Sequence, residues 1–139
     1  MSTLAVDNIT DEVGTGSPSF ANGLAQSDIA GALNATGSAP IYACRAWVNF
    51  DGTGTVSIRD SGNVSSITDN GAGSYTVNFA TAMPDGNHAS SGLARDGVNG
   101  DVCMTLRFNV APSSSSLALN TLVDGNFADA DYVTVAIFR

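Results

Sequence analysis

From Ile41 onward the chain alternates apolar and polar residues, and Gly- and Asn-rich points interrupt that alternation at short intervals. A period of two belongs to strands, whose successive side chains point to opposite faces. In "IYACRAWVNF", Tyr42, Cys44, Ala46, Val48 and Phe50 fall on one face, and Ile41, Ala43, Arg45, Trp47 and Asn49 on the other. Each face carries something large, which predicts a strand covered on both sides. "DGTG" follows as a turn, then "TVSIR" with Val56 and Ile58 inward. After the break at "DSGN" comes the short segment "VSSI", and "TDNGAG" is the strongest hairpin signal. "SYTVNFA" returns with Tyr75, Val77 and Phe79 on one face.

The second half repeats the pattern. "MPDGNHASSGLARDGVNG" reads as a polar loop with a short strand near residues 88–93. "DVCMTLRFNV" has the cleanest alternation in the chain, Val102, Met104, Leu106, Phe108 and Val110 against Cys103, Thr105, Arg107 and Asn109. "APSSSS" reads as a flexible connection between this strand and "LALNTLV". "ADYVTVAIFR" puts Val133, Val135 and Ile137 on one face and Tyr132, Ala136 and Phe138 on the other. About seven short strands with frequent turns predict an all-β fold, a β-sandwich or jelly-roll-like domain over residues 41–139.

Composition supports that class. Only 13% of the 139 residues are charged, Lys is absent, and Glu12 is the single Glu among thirteen acids. Polarity comes from Ser, Thr, Asn and Gly, which suit turns and sheet surfaces and are poor builders of exposed helices. Residues 1–40 differ, with large apolar residues only at scattered positions such as Val6, Ile9, Val13, Phe20, Leu24, Ile29 and Leu33. That is too little apolar surface to bury alone. The expectation is an extended N-terminal arm that orders against neighbouring copies or a larger particle.

Charge narrows the partners. A net charge of −8 argues against nucleic acid, because neutralising phosphates needs a basic face. An anionic membrane surface is disfavoured for the same reason, and no apolar run reaches the ~20 residues that cross a bilayer. "MSTLAVDNIT" has neither a basic region nor an apolar one, so the expectation is synthesis in the cytoplasm without a secretory signal.

No constellation of residues points to catalysis. Without Lys there is no P-loop, Schiff base or Ser–Lys pair. His88, the only histidine, cannot build a multi-histidine zinc site. Ser90, Ser91, Asp85 and Asp96 lie near it, but these residue types are so common here that their proximity carries little information, and no G-x-S-x-G elbow is present. His88 is expected at a surface or a subunit contact. The acidic turn 124–131, with Asp124, Asn126, Asp129 and Asp131, offers hard oxygens of the kind calcium takes, as does Asp51, yet it lacks the Gly and the closing Glu of an EF-hand. Solvated turn carboxylates are the expectation. The sequons at Asn8, Asn34 and Asn63 read as chance matches in an Asn/Ser/Thr-rich chain. Cys44 and Cys103 lie in separate strand-like segments without a CxxC spacing, and are expected as reduced thiols, at least one of them buried. Trp47 could stack on a sugar, though a lone Trp in an alternating strand is more often core or interface. Neither a catalytic residue nor a cofactor is expected.

The segment "AWVNFDGTGTVSIRDSGNVSSITDNGAGSYTVNFATAMPD", Ala46 to Asp85, resembles a module of tail-fibre-like and other virion proteins of tailed bacteriophages. "MSTLAVDNITDEVGTGSPSFANGL" resembles the N-terminal segment of such proteins. The resemblance implies a homotrimeric virion component whose N-terminal arm attaches to other tail or capsid proteins and whose β domain faces outward. Its loops (51–54, 69–73, 84–100 and 124–131) would then meet host-surface glycan. Because the chain has little room for a shaft, the resemblance also admits a capsid decoration or head-fibre role. A glycan depolymerase and a free-standing carbohydrate-binding module are the remaining alternatives.

Overall fold

The computed structural model describes residues 42–97 and 102–139. The arm expected over residues 1–40, and positions 98–100 of the polar loop, lie outside the described residues.

Two antiparallel sheets face each other, with no helix among the described residues. The first sheet is built from β1 (Cys44–Asp51), β2 (Ser57–Gly62), β5 (Ala89–Arg95) and β9 (Tyr132–Phe138), in the order β2-β1-β9-β5. The second is built from β3 (Val64–Asp69), β4 (Ser74–Phe79), β6 (Val102–Leu106) and β7 (Ser116–Val123), in the order β3-β4-β7-β6. The two-residue strand β8 (Asn126–Phe127) continues on β7 beyond the reach of β4. The all-β expectation holds, and the core is where alternation put it. Val48 and Phe50 of β1 and Val133, Val135 and Ile137 of β9 meet Tyr75 and Val77 of β4 and Leu117 and Leu119 of β7, all buried. Phe50 and Tyr75 touch edge to face at 5.1 Å. Burial of each such side chain stabilises the fold by about 1.5–3 kcal/mol.

The turns follow their residue chemistry. Asp124 and Gly125 both have positive φ (49° and 82°) in the β7–β8 hairpin, the conformation for which an Asp-Gly pair is suited. "TDNGAG" closes the β3–β4 hairpin as expected, with Gly71 and Gly73 at positive φ.

Four expectations need correction. Among the described residues β1 is covered on one face only: Ala46, Val48 and Phe50 are buried, while Trp47 stays 40% exposed on the outer side. "DSGN" is not a loop. β2 runs on through Gly62, and the chain changes sheets at Asn63 alone, in the left-handed region at φ 56°. Asn63 tolerates that conformation because its short amide fits there. Its Nδ2 donates to Arg45 O and Thr81 O (both 3.1 Å) and its Oδ1 accepts from Thr81 N (2.8 Å). The alternation of 102–110 is a strand only to Leu106, because Asn109 turns left-handed (φ 58°), leaving Phe108 79% exposed. Finally, the serines after Pro112 are a stapled connection. Ser115 O and Ser114 O accept from Phe79 N (2.9 Å) and Met83 N (2.7 Å), and Ser113 Oγ lies 2.9 Å from Ser116 Oγ.

Candidate functional site

Antiparallel pairing places the chain's loops at two poles, separated by strands of about 25 Å. Residue 42 enters beside Cys44, which pairs with Phe138, and Arg45 Nη1 donates to Arg139 O (3.3 Å). The near pole therefore holds both described chain ends. The opposite, far pole gathers three of the four loops singled out from sequence. Gly52 N donates to Ala130 O (2.9 Å), Gly73 N to Asp129 Oδ1 (2.8 Å), and Thr121 N to Gly73 O (2.8 Å). The Tyr75 hydroxyl lies beneath them, donating to Asp129 Oδ1 (2.8 Å) and lying 3.2 Å from Gly52 O. Burial, then the Asp129 carboxylate beside it, pushes the Tyr75 phenol well above its ordinary value. The fourth loop is divided. Its first residues, 84–88, sit at the near pole, where Asp85 pairs with Arg139, and 89–95 form β5.

Beside the far pole lies the outer face of the β2-β1-β9-β5 sheet. Register places Trp47, Asn49, Tyr132, Thr134, Ala136 and Leu93 side by side there. A shallow groove of about 460 Å³ runs between them. A bulge opposite Asn49 and Phe50 makes Arg59 the extra residue of β2, and bulges bend and re-aim the strand that carries them. Arg59 reaches Asp51 (2.9 Å), Asp131 O (2.7 Å) and the Tyr132 ring (5.3 Å). Arg95 approaches the same ring (6.0 Å) and pairs with Asp131 at 2.6 Å. Asn49 Nδ2 donates to the Tyr132 hydroxyl (2.9 Å), and Asn49 Oδ1 is buried without a partner. Hydrogen bonds from Thr53, then Arg59, hold the Asp51 carboxyl below its ordinary value. This surface can present aromatic rings and a neutralised ion-pair network to a flat partner.

A third opening lies along the side of the sandwich, where β5 and β6 are the edge strands of their sheets among the described residues. A groove of about 570 Å³ there reaches Met104, Leu117, Leu119 and Val135. Leu106 (54% exposed) stands at its rim.

The remaining sequence candidates do not converge. His88 sets its ring against Phe79 (5.6 Å), its Nε2 lies 3.2 Å from Ser113 O, and its Nδ1 is buried without a partner. Asp85 is committed to Arg139 and Asn87 N. Ser91 lies in register with Ala136 on the outer face and Ser90 with Ile137 on the inner. The acidic turn is dispersed: Asp124 is in the β7–β8 turn, Asp129 is turned inward on Tyr75, and Asp131 is on Arg95. Among the described residues no group of three or more His, Cys, Asp or Glu is placed to hold a metal. Cys44 and Cys103 are unpaired and both exposed: Cys103 falls on the outward side of β6, and a bulge between Cys44 and Ala46 sets Cys44 opposite Phe138, out of line with the inward Ala46. The sequon at Asn63 is spent on the sheet-to-sheet corner, and those at Asn8 and Asn34 lie outside the described residues. Sequence reading missed Asn63 and the Tyr75–Asp129 pair. The one local signal was Asn63 following Gly62; Tyr75–Asp129 had none.

The near pole makes an acid-range prediction. The Arg139 guanidinium, then Asn87 N, pull the Asp85 carboxyl down to about 2. A depressed carboxyl contributes stability that is present above its unfolded value of about 3.9 and is lost as pH falls through about 2. The Asp85 carboxyl carbon should therefore titrate near 2 by NMR, and Arg139→Ala should raise that midpoint toward the ordinary range.

No protein-family model, curated protein or solved structure matches this chain.

Proposed function

We propose that the protein is a structural component of a tailed-bacteriophage particle: a short tail-fibre-like, non-enzymatic homotrimer. Its N-terminal arm is attached to the virion and its β domain is turned toward the host. The sequence resemblance of residues 1–24 and 46–85 supplies the class. The observation that carries the reading is the polarity of the β domain. Residue 42 enters at one pole, and the turns of β1–β2, β3–β4 and β8–β9 are tied together at the other. The turns so gathered form one surface about 25 Å from residue 42. Their rim is rich in Asp and backbone polar groups, which suits hydrogen bonding to a hydroxyl-rich surface glycan.

Antibodies raised against the full chain, applied to intact particles and imaged by electron microscopy, test this reading. Label at the tail is the expected result. Label spread over the head would replace it with a decoration role, and particles that carry no copy of the chain would remove it altogether.

A further inference from the structure

We infer that Asp124–Gly125 is a site of spontaneous backbone rearrangement, at which aspartate passes through a cyclic imide to isoaspartate. The fold holds the other described pairs of this type against the same reaction. The inference does not depend on the virion reading.

The reaction needs an Asp or Asn whose side-chain carbonyl can reach the next backbone nitrogen, and glycine obstructs that approach least. At Asp124, Gly125 N gives up its proton and attacks the side-chain carboxyl carbon. A C–N bond forms, a C–O bond breaks, and the oxygen leaves as water. Water then reopens the imide at either carbonyl. One opening restores aspartate; the other leaves the chain running through the side-chain carbon. At an Asn the first step releases ammonia instead.

Asp51, Asn70, Asp85, Asp96 and Asp124 each precede a glycine among the described residues. Ring closure at the first three would have to break hydrogen bonds. The Asp51 carboxylate accepts from Thr53 N (2.9 Å) and Arg59 (2.9 Å), while Gly52 N already donates to Ala130 O (2.9 Å). Asn70 Nδ2 donates to Thr76 Oγ1 (3.0 Å) and Thr68 O (3.2 Å), and the attacking Gly71 N donates to Asp69 Oδ1 (2.8 Å). Asp85 is clamped by Arg139 and Asn87 N. Asp96 is not free either.

Asp124 is held differently. Among the described residues neither its carboxylate nor Gly125 N has a hydrogen-bond partner; its backbone O alone accepts one, from Asn126 Nδ2 (3.3 Å). Its φ of 49° is the left-handed conformation that an L residue adopts at a cost, so opening the turn relieves a strain that Asn70 does not carry. The turn is also exposed, and it joins β7 to a strand of two residues with little pairing to lose. Segments so lightly held open at small cost.

Isoaspartate would add a carbon to the backbone of the turn between Val123 and Asn126. The displacement falls on Ala128, whose N and O are bonded to Thr121, and so reaches Asp129, which ties the far pole together.

The test incubates the full chain in heavy-oxygen water, folded in buffer and unfolded in guanidinium chloride, at one pH and temperature. Each ring opening writes the label into the residue. Trypsin, cutting after Arg59, Arg95 and Arg107, separates Asp124 from the other pairs for mass spectrometry. Comparing each pair with its own unfolded rate cancels the intrinsic difference between Asn and Asp. Folded, Asp124 should keep its unfolded rate to within about tenfold. Three hydrogen bonds of ordinary strength should slow Asn70 roughly a hundredfold. If folding slows Asp124 as strongly as Asn70, or if Asp51 or Asp85 keeps its rate as Asp124 does, the assignment is overturned.

Discussion

Gly73→Ala should destabilise the domain by about 3–4 kcal/mol and lower its melting temperature by roughly 15–25 °C. Gly73 is buried at φ 61°, where an L residue alone costs about 1–2 kcal/mol. An added Cβ would stand 2.6 Å from Ala128 N and 2.7 Å from Ala128 O, and closer still to Thr121 O. These are backbone atoms of paired segments, so no side-chain rotation relieves the overlap. Gly73 N and O also hold Asp129 and Thr121, so any displacement breaks the stitch of the far pole. Gly54→Ala is the control. It has nearly the same φ, 60°, with nothing within 4 Å of the added carbon. Its loss should stay near the conformational cost alone, about 1 kcal/mol. Urea unfolding of the two variants separates strain from overlap, and equal losses would count against this account of Gly73.

Asp129→Ala should cost about 2–3 kcal/mol, although Asp129 adds nothing to the apolar core. Its Oδ1 accepts from both the Tyr75 hydroxyl and Gly73 N, two donors withdrawn from water. Removal leaves Gly73 N unpaired and Tyr75 with only Gly52 O. A buried donor without an acceptor costs more than an average hydrogen bond contributes, which is why the loss exceeds ~1 kcal/mol. Asp129→Asn keeps an acceptor oxygen and should lose about half as much.

Alkaline pH probes the same pair. The folded state raises the Tyr75 phenol, so its stabilising share is present in full below the unfolded value of about 10 and is lost as pH climbs past it. Ultraviolet titration should show this tyrosine ionising only as the domain unfolds.

How far the chain could be read in advance differs from element to element. β4 and β9 carry strict alternation, and their inward residues Tyr75, Val77, Val133, Val135 and Ile137 are all core. The β3–β4 hairpin was legible because positive-φ positions select Gly and Asn whatever surrounds them. Residues 102–110 alternate just as cleanly, yet Phe108 and Val110 are outside the strand and exposed. Alternation says which side a residue takes if the backbone is extended. It does not say that a neighbouring strand is there to pair with it. Trp47 shows the converse: both faces of β1 carry large residues, but only one has a sheet packed on it.

The apolar side of β4 and β9 and the tight turns at Gly71, Gly73 and Asp124 with Gly125 were set by the order of residues alone, since each depends on the covalent neighbourhood of a few positions. Strand order across the sheets, the corner at Asn63, and the meeting of Gly73 and Tyr75 with Asp129 across 56 and 54 positions arose only on folding. Strand order comes from backbone hydrogen bonding between distant strands, and that pairing carries Gly73 and Tyr75 to the Asp129 side chain. Such pairing uses the same N–H and C=O groups at every residue, and so leaves no mark in the side chains by which to read it.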